Sequence, residues 1–201
     1  GCIEPPAGLV SWWTGDGNAE DVLGTNEGTS VGGMTYSAGM VDLAFRFNRQ
    51  NYIQASTKDL PTGNQDRTIE FWANVTTFEE IETFFAGYGK FLSAEQSFHL
   101  GAAGKTLFFS QWGQAILGPA IKKDRWYHMA ATNQGNQVTL YLDGKAVGTG
   151  NFTINTPSGT LFYMGRLAVD PGKQLGGWLD EVSVYNRALS AAEVQSIYQA
   201  G

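Results

Sequence analysis

The chain has 201 residues, of which 42% are hydrophobic, 13% aromatic and only 16% charged, and 26 are glycine. Low charge together with many aromatic residues and glycines favours strands and tight turns over helices. The net charge of -6 and the scattered basic residues argue against nucleic acid or an anionic membrane surface as a partner, because both need clustered Lys and Arg. No apolar run reaches the roughly 18 residues of a membrane-spanning helix, so no membrane insertion is expected.

The N-terminal segment has a different character from the remainder of the sequence. Residues 1–7 are interpreted as a linker because Pro5 and Pro6 are adjacent there, and residues 8–201 are predicted to form one domain. Cys2 is the only cysteine, which excludes a disulfide within the chain and a zinc site built on cysteines. The alternative considered for Cys2 is a cysteine that carries a lipid.

Short runs of alternating apolar and polar residues, bounded by Gly, Asn, Asp or Pro, recur along the whole sequence. Their spacing of roughly 8–12 residues is typical of β-sandwiches and jelly rolls. The predicted strands are Leu9–Trp13, Gly28–Met34, Leu43–Phe47, Tyr52–Ala55, Thr68–Thr76, Phe84–Leu92, Ser97–Gly101, Thr106–Trp112, Trp126–Thr132, Gln137–Leu142, Leu161–Gly165 and Trp178–Tyr185.

Two local signals are more specific than the alternation. The stretch TLYLDGKAVG predicts a hairpin, because Asp143 and Gly144 tolerate the positive φ angles of a tight primed turn. The C-terminal stretch predicts a helix: Ser190 is a candidate N-cap, and Glu193 would complete a capping box. The apolar stripe of that helix is Val194, Ile197 and Tyr198. The sequence therefore predicts an all-β sandwich of two antiparallel sheets with a short C-terminal helix.

Residue patterns that organise bond breaking are missing from the sequence. There is no nucleophile elbow, no phosphate-binding glycine loop and no His-x-x-x-His metal pair. The densest acidic cluster, FEEIET at 78–83, is interpreted as a solvated loop, and the stretch IEFWAN offers Glu70 as its single carboxylate where a hydrolase would need a facing pair. These observations predict a protein without catalytic residues.

Oxygen ligands are concentrated in one glycine-rich loop near the start of the chain. Asp16, Asn18 and Asp21 lie within six residues, and a loop rich in oxygen and free of Cys and His suits a hard cation such as Ca²⁺. The alternative is ordinary turn chemistry, because Asp, Gly and Asn also dominate turns.

Six blocks in fixed order carry a resemblance to a known family. They are GLVSWWTGDGNAEDVLGTNEGTSVGG, LAFRFN followed by NYIQ, TIEFWANV, RWYHMAATN, VTLYLDGKAVG and GWLDEVSVYNRALSAAEVQSIYQAG. Together they resemble the laminin-G-like subgroup of the concanavalin A-like lectin/glucanase superfamily, over nearly the whole chain from about Gly8 to Gly201. The resemblance implies a two-sheet jelly roll of the kind found in secreted or surface-anchored bacterial proteins.

The resemblance also implies ligands and neighbours for particular residues. Asp180 is expected to lie near the loop of Asp16 and Asp21 and to complete a structural Ca²⁺ site with carbonyls near residues 26–29. Such an ion would stabilise the fold by joining the two ends of the chain. Trp72, Trp126 and Phe71 match positions of the core strands, whereas at least one of Trp12 and Trp13 should be core.

A sugar site needs an aromatic platform with polar side chains beside it. On the strand 106–112 the Leu107 and Phe109 face is predicted to be core, which turns Trp112 outward, and on the preceding strand His99 is turned to the same side. The candidate carbohydrate site consists of Trp112, His99, Tyr88, Tyr163 and Arg166.

The expected function is therefore a non-catalytic carbohydrate-binding module of a larger extracellular protein. Its partner would be a polysaccharide or glycan, its cofactor a structural Ca²⁺, and the module would act as a monomer beside flanking domains. The alternatives are a protein-binding adhesion module, a spacer without a ligand and a polysaccharide-degrading enzyme.

Overall fold

The computed structural model describes residues 3–167 and 169–201, so that Cys2 lies outside the described residues. Short apolar runs bounded by turn residues fold this part of the chain into seventeen strands and one helix. The elements are β1 Leu9–Trp13, β2 Gly28–Val31, β3 Thr35–Ala38, β4 Leu43–Asn48, β5 Tyr52–Ala55, β6 Arg67–Thr77, β7 Thr83–Gly89, β8 Ser97–Ala103, β9 Thr106–Ser110, β10 Ala115–Ala120, β11 Trp126–Gln134, β12 Gln137–Leu142, β13 Lys145–Asn151, β14 Phe162–Met164, β15 Arg166–Leu167, β16 Asp170–Gln174, β17 Gly176–Tyr185 and α1 Ala191–Ala200.

Two antiparallel sheets contain nearly all of these strands. The eight-stranded sheet has the order β13-β12-β11-β6-β17-β4-β3, and β1 pairs with β17 beside this path. The seven-stranded sheet has the order β10-β9-β8-β7-β14-β5-β2, and β15 and β16 form a separate hairpin. All twelve predicted strands are present, and the predicted all-β sandwich with a C-terminal helix is confirmed.

The core lies between the two sheets and is built mainly from aromatic side chains. Trp13 is fully buried and stacks on Phe162 of the opposite sheet at 4.8 Å between ring centroids. Phe71 and Phe85 meet edge to face at 6.0 Å in the same layer. Burial of these rings removes a large apolar area from water, which is the main stabilising contribution in a sandwich of this size.

The turn and helix signals of the sequence are confirmed in detail. Asp143 and Gly144 have φ angles of 49° and 74°, as a primed turn between β12 and β13 requires. Ser190 caps α1, and its side chain and that of Glu193 form the reciprocal capping box. None of the helices in the described ranges, 3–167 and 169–201, has the length and apolar character needed to cross a membrane.

Helix α1 covers part of the outer face of the eight-stranded sheet and creates a second apolar layer. Val194 is fully buried against this face together with Tyr141, Tyr185 and Leu189. Trp72 also belongs to this outer face: its ring lies 5.7 Å from Tyr198 of the helix. Trp72 and Phe71 both lie on the central strand β6, as expected, and they point to opposite faces of the sheet because they are neighbours in a strand.

Candidate functional site: a groove on the eight-stranded sheet

A groove with a volume of about 500 Å³ opens on the outer face of the eight-stranded sheet. Strands β1, β6 and β17 supply its floor, the loop at 40–41 lies on one side, and the C-terminal end of α1 lies on the other. Concave sites of this size with a few polar groups are the usual places for small ligands. Its lining residues are Ile3, Pro5, Pro6, Leu9, Trp12, Thr14, Asp16, Met40, Val41, Glu70, Trp72, Glu181, Ser183, Tyr185, Ile197, Ala200 and Gly201.

The aromatic part of the groove comes from three strands that are distant in the sequence. Trp12 on β1 is half-buried, whereas Trp72 on β6 and Tyr185 on β17 are buried. The indole N–H of Trp12 donates a 2.6 Å hydrogen bond to Oε2 of Glu181, which fixes the ring against the sheet. Trp12 therefore offers an oriented and partly accessible ring face to a bound molecule.

A buried carboxylate lies in the floor of the groove. Glu70 is 4% exposed, and its Oε2 lies 2.8 Å from Nε2 of the fully buried His128. The Trp72 ring packs edge to face on the His128 imidazole at 5.3 Å. The imidazole holds one oxygen of the carboxylate, Oε2, and the other oxygen, Oε1, is not among the buried unpaired polar atoms of the described residues. The floor thus contains a carboxylate that is paired with a buried imidazole.

Two adjacent acidic residues, Asp180 and Glu181, lie at a β-bulge in β17. The register shifts between Asp180 and Ser183, and Glu181 has a φ of 54°, in the left-handed region that few non-glycine residues adopt. Such a bulge changes the direction of one side chain, and here it sends the carboxylate of Glu181 toward Trp12. Backbone strain of this kind is concentrated at functional sites.

Both acids of the bulge have raised pKa values. Burial raises the pKa of Asp180 to about 7, although the main-chain N–H groups of Val41 and Met40 act in the opposite direction; the charge of Asp16 adds to the rise. Burial and then the charge of Asp180 raise the pKa of Glu181 to about 8. Carboxyl groups with such pKa values beside a cleft are typical of binding and active sites.

The four residues predicted to bind Ca²⁺ separate into two pairs. Asp21 is 4% exposed, and its carboxylate accepts main-chain N–H groups from Trp12 at 2.9 Å, Leu23 at 3.1 Å and Asn26 at 2.9 Å. Asn18 accepts the N–H of Glu20 at 2.9 Å. These two side chains therefore organise their own loop by hydrogen bonds.

The second pair of predicted calcium ligands meets at the turn between β3 and β4. Asp16 Oδ1 accepts the N–H of Leu43 at 3.0 Å, and Asp180 Oδ2 accepts those of Met40 and Val41 at 2.8 and 2.9 Å. Asp180 is fully buried, and its Oδ1 has no partner among the described residues. Within residues 3–167 and 169–201, no three acidic, His or Cys side chains are grouped so that they could hold a metal.

The residues predicted to bind sugar lie on the other sheet, and they do not form one accessible site. Tyr88 is 1% exposed and belongs to the core, where its hydroxyl donates to the carbonyl of Pro61 at 2.7 Å and accepts from Arg67 at 3.1 Å. His99 is also 1% exposed and is enclosed by aromatic rings. Neither ring can contact a ligand at the surface in this structure, since the surrounding side chains cover both.

Three of the predicted sugar-binding residues remain partly accessible. Trp112 lies 6.1 Å from His99, as the alternation of β8 and β9 predicts, and Tyr163 lies 6.3 Å from Tyr52. The guanidinium of Arg166 is 5.6 Å from the ring centroid of Tyr52. These side chains form an aromatic band on the outer face of the seven-stranded sheet, which we call the Trp112 band.

The β15–β16 hairpin contributes one side chain that covers part of this band. The ammonium of Lys173 lies 4.2 Å from the centroid of Trp112 and 2.5 Å from Oε2 of Glu82. Burial opposes ionisation of Glu82, but the hydrogen bonds from His99 and Lys173 outweigh it and lower its pKa. Glu82 was expected in a solvated loop, and it is instead an ion-paired residue that holds the hairpin.

Sequence reasoning placed none of Glu70, Trp72 and Glu181 in a binding site, although one signal was available. Alternation in TIEFW places Glu70 and Trp72 on the same face, opposite Ile69 and Phe71. Nothing in that stretch shows that this face is roofed by a helix from the other end of the chain. The bulge that turns Glu181 is equally invisible, because LDEVSV continues the strand pattern.

Comparison with solved structures shows where this architecture recurs. Domain 4 of AbnA, a GH43 extracellular arabinanase from Geobacillus stearothermophilus solved in complex with arabinotriose, has a TM-score of 0.79 at 20% identity, with 95% of this chain and 98% of that chain covered. The binding domain of Paraclostridial Mosquitocidal Protein 1 has a TM-score of 0.75 at 18% identity, covering 95% of this chain and 52% of that one. Trypanosoma rangeli sialidase has a TM-score of 0.72 at 18% identity, and the match covers 96% of this chain but 33% of the sialidase.

These structural likenesses lie below 25% identity and show the shared fold alone. No curated protein matches the sequence. A family model described as the Concanavalin A-like lectin/glucanases superfamily, with the laminin-G designation Laminin_G_3, matches residues 47–195, which is well over half of the chain. The chain therefore belongs to the Concanavalin A-like lectin/glucanases superfamily.

Proposed function

We propose that this protein is a glycan-binding module that receives a sugar in the groove of the eight-stranded sheet. The observation that carries the proposal is the Trp12 ring, held by Glu181 and half-exposed in a concave site that the acidic residues Asp16 and Glu70 also line. The apolar C–H face of a sugar ring packs on an aromatic face, while its hydroxyls donate to carboxylates. The arabinotriose complex of the similar AbnA domain supports a sugar as the ligand of this fold.

The module acts by binding and without catalysis, outside the cell, as a monomer beside flanking domains of a larger protein. The likeness to a domain of an extracellular arabinanase supports this setting. A protein ligand is the main alternative to a sugar. A glycan panel separates the two, because a protein-binding module or a spacer would bind none of the sugars.

Replacement of Trp12 by Ala tests the location of the site. We expect the affinity for the best oligosaccharide of a panel that includes arabinotriose to fall by about tenfold or more, because the stacking surface is lost. Titration followed by calorimetry measures the affinity. Circular dichroism and thermal unfolding establish that the variant is folded.

The matched control is Trp112→Ala, which removes a half-buried ring from the Trp112 band of the opposite sheet. This control is expected to keep the affinity of the unmodified protein. Loss of binding in Trp112→Ala with full binding in Trp12→Ala would move the sugar site to that band, with Tyr163 and Arg166 beside it.

A structural Ca²⁺ is the second part of the proposal. Of the four residues predicted to bind it, we retain Asp16 and Asp180 as ligands. The observation that favours it is the buried Oδ1 of Asp180, which has no partner and lies near the negative charge of Asp16. A hard cation supplies the positively charged partner that a buried carboxylate oxygen without a hydrogen bond lacks. Main-chain carbonyls and water can complete the coordination shell of the cation. Asp21 and Asn18 are left out because their oxygens already hold main-chain N–H groups.

Calcium is expected to raise the melting temperature of the chelator-treated protein. Binding to the native state stabilises it by about 3 kcal/mol when the ion is at about one hundred times its Kd. Differential scanning calorimetry should show the shift in the unmodified protein and in Asn18→Ala, and no shift in Asp180→Asn. A shift of full size in Asp180→Asn would remove this residue from the ion site.

A further inference from the structure

A second, smaller pocket lies at one end of the eight-stranded sheet, where β4 and β6 end and β17 begins. It has a volume of about 230 Å³. Its lining in the described part of the chain includes two arginines and no Asp or Glu, in contrast to the groove of Trp12. The lining residues are Arg46, Phe47, Asn48, Arg49, Thr76, Thr77, Gly176, Gly177 and Trp178.

Strand register extends this pocket into a row of four side chains across the sheet. Arg46 of β4 pairs with Trp178 of β17. Trp178 pairs in turn with Asn74 of β6, and Asn74 pairs with Trp126 of β11. Paired residues of neighbouring strands point to the same face, which is the outer face because Trp72, two residues before Asn74, packs on helix α1. Neighbouring strands are about 4.8 Å apart, so this set, which we call the Trp178 row, spans about 14 Å.

The Trp178 ring has a fixed orientation and is only half-buried. Its indole N–H donates a 2.7 Å hydrogen bond to the hydroxyl of Ser37, and the guanidinium of Arg46 lies 5.8 Å from its ring centroid. A ring that is already held loses little conformational freedom when a ligand stacks on it. Trp178 therefore offers a stacking surface with a positive charge beside it.

The two arginines of the pocket keep binding capacity for a ligand. Arg46 is exposed and forms no ion pair within residues 3–167 and 169–201. Nη2 of Arg49 lies 2.6 Å from Oε1 of Glu79, but this oxygen accepts no hydrogen bond from the described residues. The N–H groups of Arg49 are therefore not directed at that oxygen. A guanidinium presents its donors as a planar fork that matches a carboxylate.

Asn74 is an independent observation in the middle of the Trp178 row. Its Oδ1 is buried and has no hydrogen-bond partner among the described residues. An unsatisfied acceptor of this kind costs free energy, which a donor from a ligand recovers. Sugar hydroxyls are such donors, whereas a simple carboxylate has no donor to offer.

We propose that the pocket and the Trp178 row form a second binding site, which takes an acidic sugar: a hexuronate unit that packs on Trp178 and whose carboxylate accepts N–H groups from Arg46. The site is separate from the groove of the proposed function. Its volume is below the roughly 300–1,000 Å³ of sites for drug-sized molecules, which suits a single sugar unit. A neutral sugar with the same ring lacks the charge and is bound less tightly.

The test is a set of titrations of the whole chain at about pH 7, with a chelator present so that calcium cannot bridge the uronate to the protein. The probes are a galacturonate trimer, a galactose trimer, arabinotriose and triglutamate. We expect the galacturonate trimer to bind about tenfold or more tightly than the galactose trimer, and its binding to weaken as salt is raised. Calorimetry measures the four affinities at low and high salt.

Arg46→Gln is the diagnostic variant, because an exposed residue without an ion pair can be changed without loss of the fold. It should reduce the affinity for the galacturonate trimer by about tenfold and leave that for arabinotriose unchanged. Trp178→Ala should also weaken the galacturonate trimer, with circular dichroism as the check that it is folded. Lys90→Gln, which removes one exposed positive charge directly after β7 of the other sheet, is the matched control and should change neither affinity.

The outcomes distinguish this proposal from the proposed function. Equal affinities for the galacturonate and galactose trimers would overturn the acidic preference. Loss of galacturonate binding in Trp12→Ala with full binding in Arg46→Gln would move the acidic sugar to the groove and overturn the second site.

Two further outcomes concern the ligand itself. Binding of triglutamate at least as tight as that of the galacturonate trimer, with the same response to Arg46→Gln, would replace the sugar by an acidic peptide. No binding of the galacturonate trimer, with arabinotriose bound and weakened in Trp12→Ala, would overturn the second site and keep the glycan-binding groove.

Discussion

Replacement of Asp21 by Ala is expected to lower the free energy of unfolding by about 3 kcal/mol. The carboxylate accepts three main-chain N–H groups, from Trp12, Leu23 and Asn26, and the residue is 4% exposed. A buried donor that loses its acceptor costs about 1–3 kcal/mol, and water can reach part of this loop, so that the sum of three full penalties is not expected. Urea unfolding with an unchanged m-value measures the loss.

The loss of stability in Asp21→Ala should extend beyond the loop of Asp21, because the carboxylate also positions Asn26. The fully buried amide of Asn26 donates to Ser11 and to the carbonyl of Lys58, and its Oδ1 accepts from Ser56 and from the N–H of Lys58. Asp21 holds the main-chain N–H of this residue. The loop therefore joins β1 to the segment after β5 through a network of hydrogen bonds.

Asn18→Ala is the control for Asp21, because Asn18 is exposed and its side-chain oxygen accepts a single local N–H group, that of Glu20. Its expected cost is below about 1 kcal/mol. The loss in Asp21→Ala should be the same with and without a chelator. A loss that disappears when calcium is removed would instead show that Asp21 acts through a metal ion.

The fold was largely predictable because short apolar runs are separated by Gly, Asn, Asp and Pro along the sequence. The runs at Leu9–Trp13, Tyr52–Ala55 and Gln137–Leu142 were predicted with the bounds that the structure has. Strands β3, β10, β15 and β16 were missed, and β13 was anticipated only through the hairpin signal. Strands β3, β10 and β13 lie at sheet edges, where one partner strand is enough, and β15 and β16 form a separate hairpin. Pro119 in β10 lacks an N–H group and weakens the strand pattern there, as is usual at edges.

The candidate site was less predictable because its members come together only in three dimensions. Trp12 and Glu181 are separated by 169 positions and share a hydrogen bond. Their contact requires β1 to pair with β17 and a bulge to turn Glu181, and neither feature leaves a pattern in the sequence. Tyr88 shows the opposite error: an aromatic residue with a hydroxyl fits a sugar site by composition, but Arg67 and Pro61 satisfy that hydroxyl in the core.

The same carboxylates link stability and binding in this molecule. Asp16 and Asp180 hold the turn at 40–43 through main-chain N–H groups, and Met40 and Val41 of this turn line the groove. A change in the charge of Asp180 therefore alters both the free energy of unfolding and the electrostatic potential of the groove. Measuring the free energy of unfolding as a function of pH without a ligand reports the effect on stability separately from the effect on binding.

Replacement of Asp180 by Asn is expected to stabilise the calcium-free protein at about pH 8 by about 2 kcal/mol. The folded-state pKa of Asp180 is raised from 3.8 to about 7, chiefly by burial, so that the native state keeps a proton which the unfolded chain has released. Unfolding then releases a proton, and the contribution of this residue to stability falls as the pH rises from about 4 to about 7. Asparagine remains neutral, and its carbonyl can accept the N–H groups of Met40 and Val41.

The measurement is the free energy of unfolding in urea at several pH values, in the presence of a chelator. The unmodified protein should lose stability relative to Asp180→Asn as the pH is raised through this window, and the two curves should converge below about pH 4. Asp42→Asn is the matched control, since Asp42 is exposed in the same turn, and it should follow the unmodified protein throughout. Parallel curves for the unmodified protein and Asp180→Asn would show that folding leaves the pKa of Asp180 at its ordinary value. Saturating calcium should reverse the order of the two stabilities at about pH 8, because only the unmodified protein retains the carboxylate that binds the ion.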